Sequence, residues 1–134
     1  MKNDIHHILV VDDETVLANT LKRHLSMEGF DVDTAYDGAA ACEKIVSAAL
    51  SKKQYHLVIT DICMPKQDGI SLIDMIKSQY PDISILVITG FGISDLILGN
   101  IRSTIDYCCP KPITPDTLLG IFKIINKRRQ QHLK

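Results

Sequence analysis

The chain has 134 residues, 46% hydrophobic and 23% charged, a balance that excludes a disordered segment and suits one domain with a single sizeable core. Lys and Arg number 15 against 16 for Asp and Glu, so the net charge of -1 supplies no strong pull toward nucleic acid or an anionic membrane. No apolar run approaches the ~20 residues that span a bilayer, and the opening "MKNDIHH" lacks the apolar stretch of a secretory signal, so a cytoplasmic location is expected.

The first predicted element is the strand "HILVV" (7–11), continuous rather than alternating and therefore buried on both faces. It ends in Asp12 and Asp13. Two carboxylates about 5 Å apart repel by roughly 3 kcal/mol at an effective dielectric near 20. Water on an exposed loop, the positive end of a helix dipole, or a bound cation would each offset that repulsion. From Glu14 to Glu28, Leu17, Leu21 and Leu25 mark one helix face, and Gly29 is a natural stop.

"FDVDTA" (30–35) alternates as a short edge strand would, and Asp37 is placed to cap a second helix through about Leu50. "HLVIT" (56–60) is another central strand and also ends in an acid, Asp61. The loop "DICMPKQDG" follows, with Pro65 and the Asp68-Gly69 turn as punctuation. Next come a helix over 71–79, the strand "ISILVIT" (83–89), a loop "GFG", a helix over 93–103 and a fifth strand, "IDYCC" (105–109). Thr114 as N-cap and Pro115 at the first helical position open the last helix, with Leu118, Ile121, Phe122 and Ile125 on one face.

Strands alternating with helices predict an α/β doubly wound sheet with right-handed crossovers. Ligands of such sheets bind outside the carboxyl ends of the strands, where strand order reverses. The residues expected there are Asp12, Asp13, Asp61, Thr89 and Lys111. Three acids in one shallow pocket suit Mg²⁺, which takes one or two carboxylates and leaves positions for water and a phosphoryl oxygen. Asp61 is then a candidate nucleophile for phosphoryl transfer, with Lys111 and the metal neutralising charge and Thr89 donating a hydrogen bond. Taken singly, Asp12 also reads as a cap of the first helix, Lys111 as a loop lysine and Thr89 as a backbone-bonded hydroxyl.

The set "VVDDE", "TDICMPKQDG", "ITG" and "PKP" resembles the receiver domain of bacterial two-component response regulators, CheY-like, from about Ile5 to about Arg128. The resemblance implies a flavodoxin-like (βα)5 sandwich with a five-stranded parallel sheet in the order 2-1-3-4-5, as CheY has. It implies a receiver domain over 1–128, with 129–134 a basic tail or the start of a linker. It also implies that Asp61 accepts a phosphoryl group from a sensor-kinase phosphohistidine. Asp13 would be a direct Mg²⁺ ligand, Asp12 a ligand through water, and the Cys63 backbone carbonyl the third protein ligand. Thr89 would be the switch hydroxyl and Lys111 the phosphoryl-binding cation.

The signal would then run through the loop after the fourth strand to the face of the fourth and fifth helices and fifth strand. The family's switch aromatic stands three before the lysine, where this chain has Cys108; Tyr107 stands four before. A one-residue bulge would give Tyr107 the switch position, the reading preferred here, and its absence would leave Cys108 there. Leu98 and Ile124 leave their helices' core faces, which suggests a phosphorylation-dependent homodimer or output partner.

The chain is thus expected to be a self-phosphorylating switch rather than an enzyme with turnover. The runner-up, a Mg²⁺-dependent phosphatase with an aspartyl-phosphate, needs a general acid near the nucleophile, and Cys63 two residues on is a poor one. A flavodoxin would carry a phosphate-cradling loop where "DDET" stands. "KRRQQHLK" reads as a helix C-terminus rather than a nucleic-acid contact, and no membrane contact is expected. Cys42, Cys63, Cys108 and Cys109 form no C-x-x-C pair and read as free thiols, and spacing gives a zinc site with His6 and His7 poor support.

Overall fold

Continuous apolar strands need cover on both faces, and amphipathic helices placed between them in the chain provide it. The computed structural model describes residues 4–62, 69–90 and 104–131. Within them, β1 (His7–Val11), β2 (Asp31–Ala35), β3 (Leu57–Thr60), β4 (Ser84–Thr89) and β5 (Tyr107–Pro110) form one parallel sheet in the order β2-β1-β3-β4-β5. The helices are α1 (Thr15–Met27), α2 (Gly38–Leu50), α3 (Gly69–Gln79) and α4 (Pro115–Gln131). This is the flavodoxin-like doubly wound order expected from the sequence. The helix expected over 93–103 lies outside the described residues.

Alternation along the strands divides the core in two. On one face Leu9, Val11, Val58, Ile85 and Val87 meet Ala41 and Ile45 of α2 and Leu72, Ile73 and Ile76 of α3. On the other, Ile8, Val10, Ile59, Leu86 and Ile88 meet Leu21 and Leu25 of α1 and Leu118, Ile121, Phe122 and Ile125 of α4. Each such large side chain contributes about 1.5–3 kcal/mol when fully buried. Phe30, just before β2, meets Phe122 edge-on with ring centroids 5.3 Å apart.

Local signals set the element ends. Gly29, at φ +96°, closes α1 by donating to Ser26 O while Phe30 N donates to Leu25 O. The Asp37 carboxylate caps α2, accepting from Ala40 N at 2.7 Å, and Thr114 Oγ1 accepts from Thr117 N at 3.2 Å to start α4.

Two elements start two residues away from expectation. α3 begins at Gly69 rather than 71, because Gly69 N donates to Ile62 O and draws the chain straight into the helix. β5 is Tyr107–Pro110 rather than 105–109, an edge strand in unbroken register with β4, Leu86 opposite Tyr107 through Thr89 opposite Pro110. There is no bulge. The last helix runs through Gln131, and in it Arg129 is buried and donates to His56 O, Asp82 O and Ser84 Oγ.

Candidate phosphoryl and metal site

The sheet's backbone ladder continues one residue past three strand ends and thereby fixes the site. Asp12 N donates to Ala35 O, Asp61 N to Val11 O and Lys111 N to Thr89 O, at 3.1, 3.2 and 2.7 Å. Asp12 and Asp61 therefore stand side by side at the β1/β3 switch point, with Lys111 reaching in from beyond β5. Asp12 is 4% and Asp61 7% exposed, whereas Asp13 is exposed. Carboxylate oxygens of Asp12, Asp13 and Asp61 lie within 4.8 Å of one another.

Lys111 is the cation of this group. Its Nζ lies 3.0 Å from Asp12 Oδ2, 2.9 Å from Asp61 Oδ2 and 2.9 Å from Glu14 Oε1. Burial works against the charged lysine, but hydrogen bonds to Glu14, Asp61 and Asp12 outweigh it and raise its pKa well above the ordinary value. Burial acts the other way on Asp12: it lifts the carboxyl above its usual range despite hydrogen bonds from Glu14 N and Lys111. Among the described residues, three carboxylates thus contact this ammonium and a fourth, that of Asp13, stands beside them. The surplus negative charge and the all-oxygen donor set suit a hard divalent cation such as Mg²⁺, held by Asp12, Asp13 and Asp61. Among the described residues, these acids are the single group of three or more His, Cys, Asp or Glu side chains close enough to hold a metal, so His6 and His7 form no such site.

Two further positions shape the site. Gly69 packs so tightly that a Cβ there would lie 2.3 Å from Asp61 O and 2.4 Å from Ile62 Cα. Thr89 is buried, and its hydroxyl donates to Gly90 O at 2.8 Å rather than to Asp61.

Asp12, Asp13, Asp61, Thr89 and Lys111 therefore meet at the strand ends as the sequence predicts. Cys63, Phe91 and Leu98 lie outside the described residues. Tyr107 packs in the α1/α4 half of the core and Cys108 in the α2/α3 half, so the two candidates for the switch position face opposite ways. Ile124 is 41% exposed, as expected of a residue off the core face. Sequence reasoning missed the contact of Glu14 with Lys111, and read Gly69 as a turn residue only. The "DDE" run held the signal for Glu14: an acid two residues after a rim carboxylate turns back when that carboxylate accepts its N–H, as Asp12 Oδ1 does from Glu14 N at 2.9 Å.

A family model described as the response regulator receiver domain matches residues 8–123. The chain is 34% identical over 122 residues to the transcriptional regulatory protein CpxR homolog of Haemophilus influenzae, covering 90% of this chain and 50% of that one. Its identity to the response regulator MprA of Mycobacterium ulcerans is 33% over 122 residues, with the same coverage. The chain spans about half the length of these curated relatives. Among solved structures, a response regulator receiver domain protein from Clostridium thermocellum superposes with a TM-score of 0.80 at 26% identity, covering 95% of this chain and 99% of that one. The response regulator protein TrrA of Thermotoga maritima, in complex with Mg²⁺-BeF, gives 0.73 at 30% identity over 90% and 99%.

Proposed function

This chain belongs to the response regulator receiver domain family, and on that premise we propose that it is a phosphorylation-operated signalling switch whose phosphoacceptor is Asp61. One observation carries the assignment: the Asp61 carboxylate, buried at the end of β3, has the Lys111 ammonium at 2.9 Å and the Asp12 and Asp13 carboxylates beside it. The donor is a phosphohistidine on a sensor histidine kinase. An Asp61 oxygen attacks phosphorus; the O–P bond forms, the P–N bond breaks, and the imidazole leaves with the electron pair and takes up a proton.

Asp12, Asp13 and Asp61, with the Cys63 carbonyl, would hold Mg²⁺, which neutralises charge on the phosphoryl oxygens. The Lys111 ammonium, already 2.9 Å from Asp61 Oδ2, would neutralise charge there too, because the backbone bond from Lys111 N to Thr89 O sets its place beyond β5. The phosphoryl group adds about two negative charges and gives the Thr89 hydroxyl cause to leave Gly90 O and donate to it. Thr89 has the strand parity of Ile85 and Val87, and Cys108 pairs with Val87 on that face, so Cys108 rather than Tyr107 is our choice for the position that follows Thr89.

We place the receiver unit through the end of α4, and an output partner or second copy on the face of β5 and α4 that exposes Ile124. Among the described residues no helix is long and apolar enough to cross a membrane. From the family match we infer the cytoplasm as the compartment. Mass spectrometry after treatment with acetyl phosphate and Mg²⁺ tests the reading. One base-labile phosphate per chain is expected, absent without metal and in Asp61→Asn. An adduct that persists in Asp61→Asn, or continuous turnover of phosphate esters, would contradict it.

A further inference from the structure

A lysine ammonium has three N–H donors. In Lys111 all three are taken, by Asp12, Asp61 and Glu14. A phosphoryl oxygen arriving on Asp61 can gain a hydrogen bond from this ammonium only if one of the three acceptors gives way. Asp12 is held by its burial and by the Glu14 N–H, and Asp61, buried at the end of β3, keeps a carbonyl oxygen for the ammonium when its other oxygen carries the phosphoryl group. Glu14 differs: its side chain is 64% exposed, so water can take over its carboxylate at little cost.

Resting on the assignment of Asp61 above, we infer that Glu14 is a positioning residue that competes with the phosphoryl group for Lys111. At rest it holds the third N–H of the ammonium at the mouth of the site. On phosphorylation it is the partner released, and the energy of that contact is subtracted from the affinity of the site for a phosphoryl group. Glu14 is not needed for the fold in this role, since it occupies the N-cap position of α1 yet its side chain makes no capping hydrogen bond.

The same vacancy in capping supplies a variant that separates contact from charge. Aspartate is a strong N-cap and its shorter side chain turns back onto the first-turn N–H groups. Glu14→Asp therefore keeps the negative charge, raises the melting temperature and withdraws the carboxylate from Lys111. Glu14→Gln removes the charge. The measurement is the affinity for beryllofluoride at saturating Mg²⁺, read by ¹⁹F NMR, together with the affinity for Mn²⁺ alone, read by EPR.

The expected result is beryllofluoride binding about two- to fivefold tighter in both variants, the range that an exposed ion pair supplies. Mn²⁺ affinity is expected to fall in Glu14→Gln and to hold in Glu14→Asp. Beryllofluoride binding in Glu14→Asp equal to wild type would overturn the inference, since it would reduce Glu14 to a contributor of background charge. Wild-type protein that binds neither Mn²⁺ nor beryllofluoride would instead overturn the reading of Asp61 on which the inference rests.

Discussion

Where the strands begin, Arg129 lies buried with its guanidinium donating to His56 O, Asp82 O and Ser84 Oγ. Nearby, Asp33 Oδ2 accepts from Tyr55 OH at 2.7 Å and lies 3.4 Å from His7 Nε2, and the rings of His7 and Tyr55 lie 4.2 Å apart, tilted by 33°. His56 Nδ1 accepts from both His6 N and His7 N. Where the strands end, the Lys111 ammonium contacts Asp12, Asp61 and Glu14, with the Asp13 carboxylate beside Asp12 and Asp61. A cleft of about 910 Å³ opens at the first end, roughly twice the volume of the 440 Å³ cavity that Asp12, Asp61 and Lys111 line at the second. Volume alone would direct attention to the wrong end. At the first end the charged groups of Arg129 and Asp33 are held by hydrogen bonds within the fold, whereas at the second a like-charge surplus held in place by backbone hydrogen bonds suits a cation.

The comparison can be broken hardest at Arg129. Arg129→Met would take the guanidinium from Ser84 Oγ and Asp82 O, while His56 O keeps its bond from Ser84 N, and a loss of about 2–3 kcal/mol in urea unfolding is expected, with phosphorylation retained by the folded fraction. A loss under 1 kcal/mol would mean that this end is not the lock described. Next in size is Gly69→Ala at the opposite end, where the new methyl meets the Asp61 and Ile62 backbone. Stability should fall by about 1–3 kcal/mol, with phosphorylation of Asp61 slowed as well. Gly120→Ala is the control: its Cβ meets nothing within 4 Å on the α4 helix, so stability should rise by about 0.5–1 kcal/mol with phosphorylation unchanged.

The smallest effects are the sharpest, because they differ in sign. Asp13→Asn, at the end with surplus charge, should stabilise the metal-free protein by up to about 1 kcal/mol, while Asp33→Asn should destabilise it by a similar amount. Burial raises the Asp33 carboxyl, but hydrogen bonds from Tyr55 and His7 outweigh it and hold the folded value below the ordinary one. Its stabilisation is therefore complete above about pH 4, the unfolded value, and disappears as pH falls through the lower folded value. Acid unfolding curves should show a shallower slope in that range for Asp33→Asn than for wild type. Identical slopes would remove Asp33 from the account.

The rim was legible because Asp12 and Asp61 each end an apolar run long enough to be a central strand, and parallel sheets gather such ends at one edge. Thr89 and Lys111 followed from the same rule. β5 was the least legible strand: at the sheet edge its residues are only partly covered, so the apolar pattern that marks β3 and β4 fades, and its register depends on pairing with β4. Glu14 and Arg129 were misread for one reason. A charged residue on a helix gives no periodic signal of the partner it meets, and their partners lie 97 and 45 residues away, at Lys111 and Ser84. Gly69 carried a visible signal with two causes, a turn or a close approach, and only the packed structure separates them.

Titration calorimetry of Mg²⁺ into the wild-type chain, Asp13→Asn and Asp33→Asn tests the contrast between the two ends most directly. One binding event is predicted in the wild type and unchanged in Asp33→Asn, with affinity at least about tenfold weaker in Asp13→Asn as a charged ligand is lost. Equal affinity in all three proteins, or none in the wild type, would contradict the account.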